Sequence, residues 1–322
     1  VGTLVDDAAY GDMTPYFAVP AGSYTLDITP AMDNNTIVAS FTADLSGLAG
    51  GAAVVFASGF LAPMNNQNGP AFGLFAALPD GNVVALPAYK DPMARLQVIH
   101  NAADPGAALV DLYVNGTLFQ DDFAFRAATP FVDVPAGVQL SIGVAPGTST
   151  GAGDIIATFD VTLDDGKTYV AVANGVLDPM AFAANPEMKS TAFTLFTTDM
   201  GQEAAMNASE VDLKVLHGAT DAPAVDVIAR GVGTLVDDAA YGDMTPYFAV
   251  PAASYTLDIT PAMDNSTIVA SFTANLSGLA GGAAVVFASG FLAPMDNQDG
   301  PAFGLFAALP DGNVVALPSA DV

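Results

Sequence analysis

Hydrophobic and polar positions alternate along much of the chain. In Tyr255-Thr256-Leu257-Asp258-Ile259 every second residue is apolar, the mark of a strand with one face in a core. Ala283–Ala288 is apolar without a break, as expected of a strand covered on both faces. For the last third of the chain the pattern predicts strands at Leu213–His217, Ala224–Ala229, Pro246–Val250, Ser254–Thr260, Thr267–Leu276, Ala283–Gly290, Ala302–Leu309 and Asn313–Leu317. Asn115-Gly116, Asp165-Gly166 and Asp311-Gly312 read as hairpin turns, where glycine supplies the positive φ. Eight or so short strands with Gly/Pro turns predict a β-sandwich, Ig-like or transthyretin-like. The one helix candidate is Gln202–Met206. The uncharged stretch Leu45–Pro79 is broken by Gly50, Gly51, Gly59, Pro63, Gly69 and Pro70, so it reads as buried strands and turns and not as a membrane span.

The pattern repeats. Val1–Pro87 returns as Val232–Pro318, offset by 231 residues, with five differences over 87 positions: Gly22/Ala253, Asn35/Ser266, Asp44/Asn275, Asn65/Asp296 and Asn68/Asp299. A diverged copy lies between them. Leu96-Gln97-Val98-Ile99-His100 matches Leu213-Lys214-Val215-Leu216-His217, Val110-Asp111-Leu112 matches Val225-Asp226-Val227, and Thr129-Pro130-Phe131 matches Thr245-Pro246-Tyr247. The organisation is therefore an all-β A–B–A array of three sandwiches, over residues 1–90, 95–200 and 212–322. The first copy has no counterpart of Leu213–Gly231, which should supply two strands. Either the chain is a window on a longer A–B array, the favoured reading, or another chain donates the strands.

Composition narrows the partners. With 7 Lys plus Arg against 34 acidic residues the net charge is −27, which sets aside nucleic acid and anionic lipid. There is no cysteine, hence no disulfide and no thiolate metal site. All but three acids are aspartates, which suit turns. The opening residues lack a basic, then apolar, leader, so an export signal is expected to be already removed or the start to lie inside a longer protein. Val1–Ala88 and everything after Arg230 contain no Lys or Arg, so the A copies cannot form lysine isopeptide bonds and should resist trypsin even unfolded.

Candidate chemistry is sparse. His100 and His217 are the only histidines, each at the end of a first strand. Without a second histidine or a nucleophile beside them, they are expected to lock the strand to the following loop, with Asp104 and Asp221 as partners. For Ca2+, Met295-Asp296-Asn297-Gln298-Asp299-Gly300 misses the EF-hand spacing, and its twin Asn65–Gly69 has lost both carboxylates; no other cofactor is expected. Asp6, Asp7 and Asp12 recur as Asp237, Asp238 and Asp243, the remaining weak candidates. Tyr10, Tyr16, Tyr241 and Tyr247 are expected to cap the sandwich cores rather than stack on sugars. Sequons start at Asn34, Asn115, Asn207, Asn265 and Asn275. There is no Gly-x-Ser-x-Gly, phosphate loop or His-Glu-x-x-His, so no catalytic site is expected.

The order Val215-Leu216-His217, Asp221-Ala222-Pro223-Ala224-Val225-Asp226-Val227, Thr245-Pro246-Tyr247, Val250-Pro251-Ala252, Tyr255-Thr256-Leu257 resembles the bacterial domain of unknown function 4397 family. The middle copy departs from it at Asp104-Pro105-Gly106-Ala107. The resemblance implies a sandwich fold, tandem copies and a place on or outside the cell, and implies no established chemistry. The expectation is a non-enzymatic extracellular filament or stalk, a linear homopolymer or longer array, with strand donation between units. The alternative is a surface adhesin or binding module for a glycan, Ca2+ or a partner protein.

Overall fold

The computed structural model describes residues 2–322 and is all-β, in two compact units, Val1–Asp91 and Pro92–Val322. Among the described residues the only helices are single 3-10 turns such as Pro105–Ala107 and Pro294–Asp296, and none is long and apolar enough to cross a membrane. Gln202–Met206 is bends and coil, not helix: Met206 N–H is bonded to the Asp212 carboxylate, and Ala205 N–H to Gly281 O.

The first unit holds five strands, β1 (Ser23–Ile28), β2 (Ala39–Asp44), β3 (Val54–Ser58), β4 (Gly73–Ala77) and β5 (Val83–Leu86). They form a two-stranded sheet β1-β2 and a three-stranded sheet β3-β4-β5.

The second unit contains two complete sandwiches. The middle one has β6 (Met93–His100), β7 (Leu109–Val114), β8 (Thr117–Ala124), β9 (Val132–Pro135), β10 (Gln139–Pro146), β11 (Ala157–Thr162), β12 (Thr168–Asn174) and β13 (Thr194–Thr198). Its sheets run β13-β12-β6-β9 and β11-β10-β7-β8. The last one has β14 (Glu210–Leu216), β15 (Val225–Ala229), β16 (Gly233–Ala239), β17 (Phe248–Pro251), β18 (Ser254–Pro261), β19 (Ala270–Asn275), β20 (Ala283–Ser289), β21 (Gly304–Ala308) and β22 (Val314–Leu317). Its sheets are β17-β14-β20-β21-β22 and β16-β15-β18-β19. In both sandwiches the first strand pairs in parallel with a later central strand, β6 with β12 and β14 with β20. Each has its own core, with Leu96, Val98, Leu112, Phe123 and Leu140 in one and Val211, Val236, Leu257, Ile259 and Phe272 in the other.

Asn115-Gly116 joins the hairpin β7–β8, and Asp311-Gly312 joins β21–β22. Asp165-Gly166 is different, because it carries the chain from β11 in one sheet to β12 in the other. Its Asp165 carboxylate and Gly166 N–H bond Met93 at the start of β6, which fixes that crossover. The alternation did not reveal β16, whose outward residues Asp237 and Asp238 are poor strand formers; it survives through irregular pairing with β15.

The two sandwiches of the second unit share a third core. Ile99, Phe131, Val170 and Val172 of the middle domain pack on Leu216, Val285, Phe287 and Ala308 of the last. Strand periodicity explains it. On β20, Ala284 and Val286 enter the domain's own core while Val285 and Phe287 face the neighbour; on β12, Ala171 and the Val170/Val172 pair divide in the same way. These strands read as continuously apolar because one face is covered by their own sandwich and the other by the next.

Candidate functional site

The histidines, aspartates and threonines of the repeated motif each hydrogen-bond main-chain groups. The His100 ring is fully buried, its Nε2 2.7 Å from Ala107 O, and Ala102 N–H donates to Nδ1. His217 Nε2 is 3.0 Å from Pro223 O. Both histidines thus clasp the loop that follows, as expected, but through carbonyl oxygens and not through the aspartates. Burial pushes the His100 pKa down to about 4 and lowers that of His217, so both rings are neutral at pH 7.

Asp104 and Asp221 do a separate job. Asp104 accepts from Gly106 N–H and Leu177 N–H, tying its 3-10 turn to the loop after β12. Asp221 accepts from Leu292 N–H, Ala293 N–H and Asn297 Nδ2 in the matching loop after β20. Thr129 Oγ1 and Thr245 Oγ1 accept the N–H of Val98 and Val215, each at 2.9 Å, so each Thr-Pro loop is stitched to its first strand. Lys214 Nζ donates to Thr245 O from a nearly buried site, matching Gln97 Nε2 on Thr129 O.

The aspartates of the Val-Asp-Val and Val-Asp-Leu segments are buried. Asp111 Oδ1 accepts Asp122 N–H, and Asp226 Oδ1 accepts Asp238 N–H, across pairs whose register is shifted by bulges. Asp122 and Asp238 sit at φ 49° and 48°, a left-handed conformation that the buried carboxylate holds in place. Burial pushes the Asp111 pKa up, but hydrogen bonds from Ser149 and Asp122 outweigh it and the group lies below the ordinary value. The Ca2+ candidates divide here. Asp237 and Asp238 lie with Asp226, one carboxylate oxygen of each within 4.8 Å of the others, whereas Asp243 instead bonds Ala240 N–H and Lys189 Nζ. Asp296 and Asp299 are exposed, and between them the buried Asn297 reaches Asp221.

Two short hydrogen-bonded strips frame the apolar contact between the middle and last sandwiches. Asn101 Nδ2 donates to Asn174 Oδ1 and Ala288 O, and Asn174 Nδ2 to Gly218 O and Tyr241 Oη. Gly218 stands where the middle copy has Asn101; a Cβ there would lie 2.2 Å from Asn101 Nδ2 and 2.6 Å from Ala288 O. Arg126 bonds Ser289 Oγ and Ala302 O while its guanidinium covers the Phe306 ring at 4.1 Å. No single sequence motif marks this face. Its signal is the second apolar register on β6, β12, β14 and β20.

Residues 94–228 and 211–298 match the family described as Domain of unknown function (DUF4397). The chain belongs to this family. No curated protein matches it. The two DUF4397 matches together span residues 94–298, and every motif residue described above that falls within them is bonded to main chain, so the pattern encodes how the sandwich ends are closed.

The decisive geometry lies in the first unit, which carries nearly the same sequence as Val232–Val322. Phe56 is 39% exposed where Phe287 is 0%, Phe60 is 42% exposed where Phe291 is 0%, and Tyr10 is wholly exposed where Tyr241 is buried. Tyr241 thus seals a core as expected and Tyr247 is half-buried, while Tyr10 and Tyr16 stand in solvent. β3, read from sequence as a buried strand, is exposed along its whole length. The cause is pairing. β16 pairs with β15 and β17 with β14; among the described residues of the first unit no strand corresponds to β14 or β15, and Gly2–Ala8 and Phe17–Pro20 are not strands there.

Proposed function

We propose that the protein is an extracellular or cell-surface structural protein, a filament or stalk of tandem β-sandwiches, whose first unit is completed by strands supplied from outside it. The observation that carries this reading is the pair of near-identical copies, one closed and one open. What closes the last domain is known in residue detail: β14 beside β20, β15 beside β18, and the face of β6 and β12 over Val285 and Phe287. The first unit presents the same residues, Val54, Phe56 and the β1 and β3 edges, without those partners. Its complement is therefore a pair of strands with the alternation of Val211/Leu213/Val215 and Val225/Val227/Ala229, backed by a B-type domain. An assembly whose units pass strands or faces onward is head-to-tail, and it grows as a filament when successive units do not close into a ring.

The test is complementation. A synthetic peptide spanning residues 208–231 is added to the purified chain, and amide exchange is followed by NMR together with electron microscopy of the concentrated protein. Expected are end-to-end strings of particles in the protein alone and, with the peptide, one-to-one binding, protection of Val54–Ser58 and Ser23–Ile28, and shortening of the strings as the peptide occupies the open face. Failure of the peptide to bind, with the chain a single closed particle at every concentration, refutes the proposal.

A further inference from the structure

Between the two sheets of the last sandwich lies a cavity of about 200 Å3, lined almost wholly by carbon. Leu213, Val227, Leu257, Ile259 and Phe303 form its walls, and Ala239 and His217 border it at one end. Val269 and Leu292, both lining residues, are also exposed, which places its mouth at that edge of the sandwich.

The middle sandwich explains why the space exists. The bulge bonds Asp111–Asp122 and Asp226–Asp238 align the two copies, and Val110 pairs with Phe123 as Val225 pairs with Ala239. Phe123 is buried, its ring 5.9 Å from that of His100. The corresponding position beside His217 is Ala239, so a phenyl ring that plugs one core is missing from the other. Interiors close over such voids only in part, and an apolar cavity of roughly 150 Å3 stays dry and takes up benzene-sized guests.

We infer that the last sandwich is a binding site for a small uncharged apolar ligand, a single substituted aromatic ring or a short alkyl group that occupies the place of the Phe123 side chain. The lining determines the class. Every wall residue named is a hydrocarbon side chain, and no Lys, Arg, Asp or Glu reaches the cavity, so an ionised ligand would lose its hydration without compensation. The polar group at the rim is His217, held neutral by burial, with its Nε2 committed to Pro223 O. The volume is enough for one ring carrying one or two methyl groups. This inference stands apart from the proposed assembly, since the site lies wholly inside the closed domain.

The test uses the full chain at a concentration where light scattering reports single particles. Binding of p-xylene and of 1-hexanol is followed by thermal unfolding and by NMR of the Leu, Val and Ile methyl groups. Expected are saturable shifts at Leu257 and Ile259 and a raised unfolding temperature. Ala239→Leu, which fills the space, should reduce affinity at least tenfold without lowering the unfolding temperature. Phe123→Ala, which opens the matching space in the middle domain, should add a second set of shifts at Leu112 and Leu140. If the native chain shows no saturable shifts, or if Ala239→Leu binds as well as the native chain, the inference is wrong. Should Ala239→Leu not fold, the Phe123→Ala arm decides alone: absence of new shifts there overturns it.

Discussion

His100 shows what one residue of the motif contributes and when it fails. Its pKa is about 4 in the folded chain because burial disfavours the charged ring, against 6.5 when exposed. A depressed histidine pKa means that the unfolded state takes up the proton first. Stability from this group is complete above pH 6.5, falls as the pH drops, and is exhausted near pH 4. The loss amounts to about 3 kcal/mol. His100→Gln keeps an N–H for Ala107 O and has no titration there, so its urea midpoint should fall less between pH 7.5 and 4.5 than that of the native chain. The carboxylates, common to both, cancel in the comparison. Asp226 gives a second residue-scale prediction. Its carboxylate holds Asp238 N–H at a bulge, so Asp226→Ala leaves that donor without its acceptor and should cost about 1–3 kcal/mol in urea unfolding.

At the scale of elements, one sequence takes two structures. Gly233–Ala239 is a strand beside β15, and Gly2–Ala8, identical to it, is not a strand without such a neighbour. Strand propensity decides little here; an available row of N–H and C=O groups decides the outcome. Amides of Val5 and Ala8 should therefore exchange roughly a hundredfold or more faster than those of Val236 and Ala239, read by NMR or in peptides told apart by Gly22 and Ala253. The same principle sorts what was legible from what was not. Alternation such as Tyr255–Ile259 and the unbroken Ala283–Ala288 located strands and even forecast the doubly covered one, because side-chain period and burial are local facts. The bulged β16 escaped notice because its hold on the sheet comes from Asp226, a residue on another strand. The carbonyl partners of the histidines were equally out of reach, since Ala107 O and Pro223 O carry no mark in a sequence. The offset of 231 residues made the shorter first copy legible from the repeat alone, yet the exposure of β3 follows only once its partners are seen to be absent from the described residues of that unit.

At the scale of the molecule, the distribution of charge and the two copies of one face make sharp predictions. All seven basic residues lie between Lys90 and Arg230, so trypsin acting on the urea-unfolded chain should leave residues 1–90 and 231–322 intact, as mass spectrometry would register. A net charge of −27 also opposes association of copies. Screening shortens that repulsion to about 10 Å at 0.1 M salt, so strings of particles should lengthen as salt is added. The sharpest comparison is one substitution made at equivalent sites. Phe287 is buried between two sandwiches and stacked on Phe306, and Phe56 is stacked on Phe75 at the open face. Phe287→Asp places a charge in a sealed apolar contact and should cost about 3–5 kcal/mol, enough to separate the middle and last domains in thermal unfolding. Phe56→Asp should cost the single particle less than Phe287→Asp does, because the position is 39% exposed and the carboxylate can reach water. It should nonetheless abolish both peptide complementation and strings of particles. If Phe56→Asp assembled as well as the native chain, the open face would have no part in joining units, and the resemblance of its residues to the buried face of the last domain would have to be explained by duplication alone.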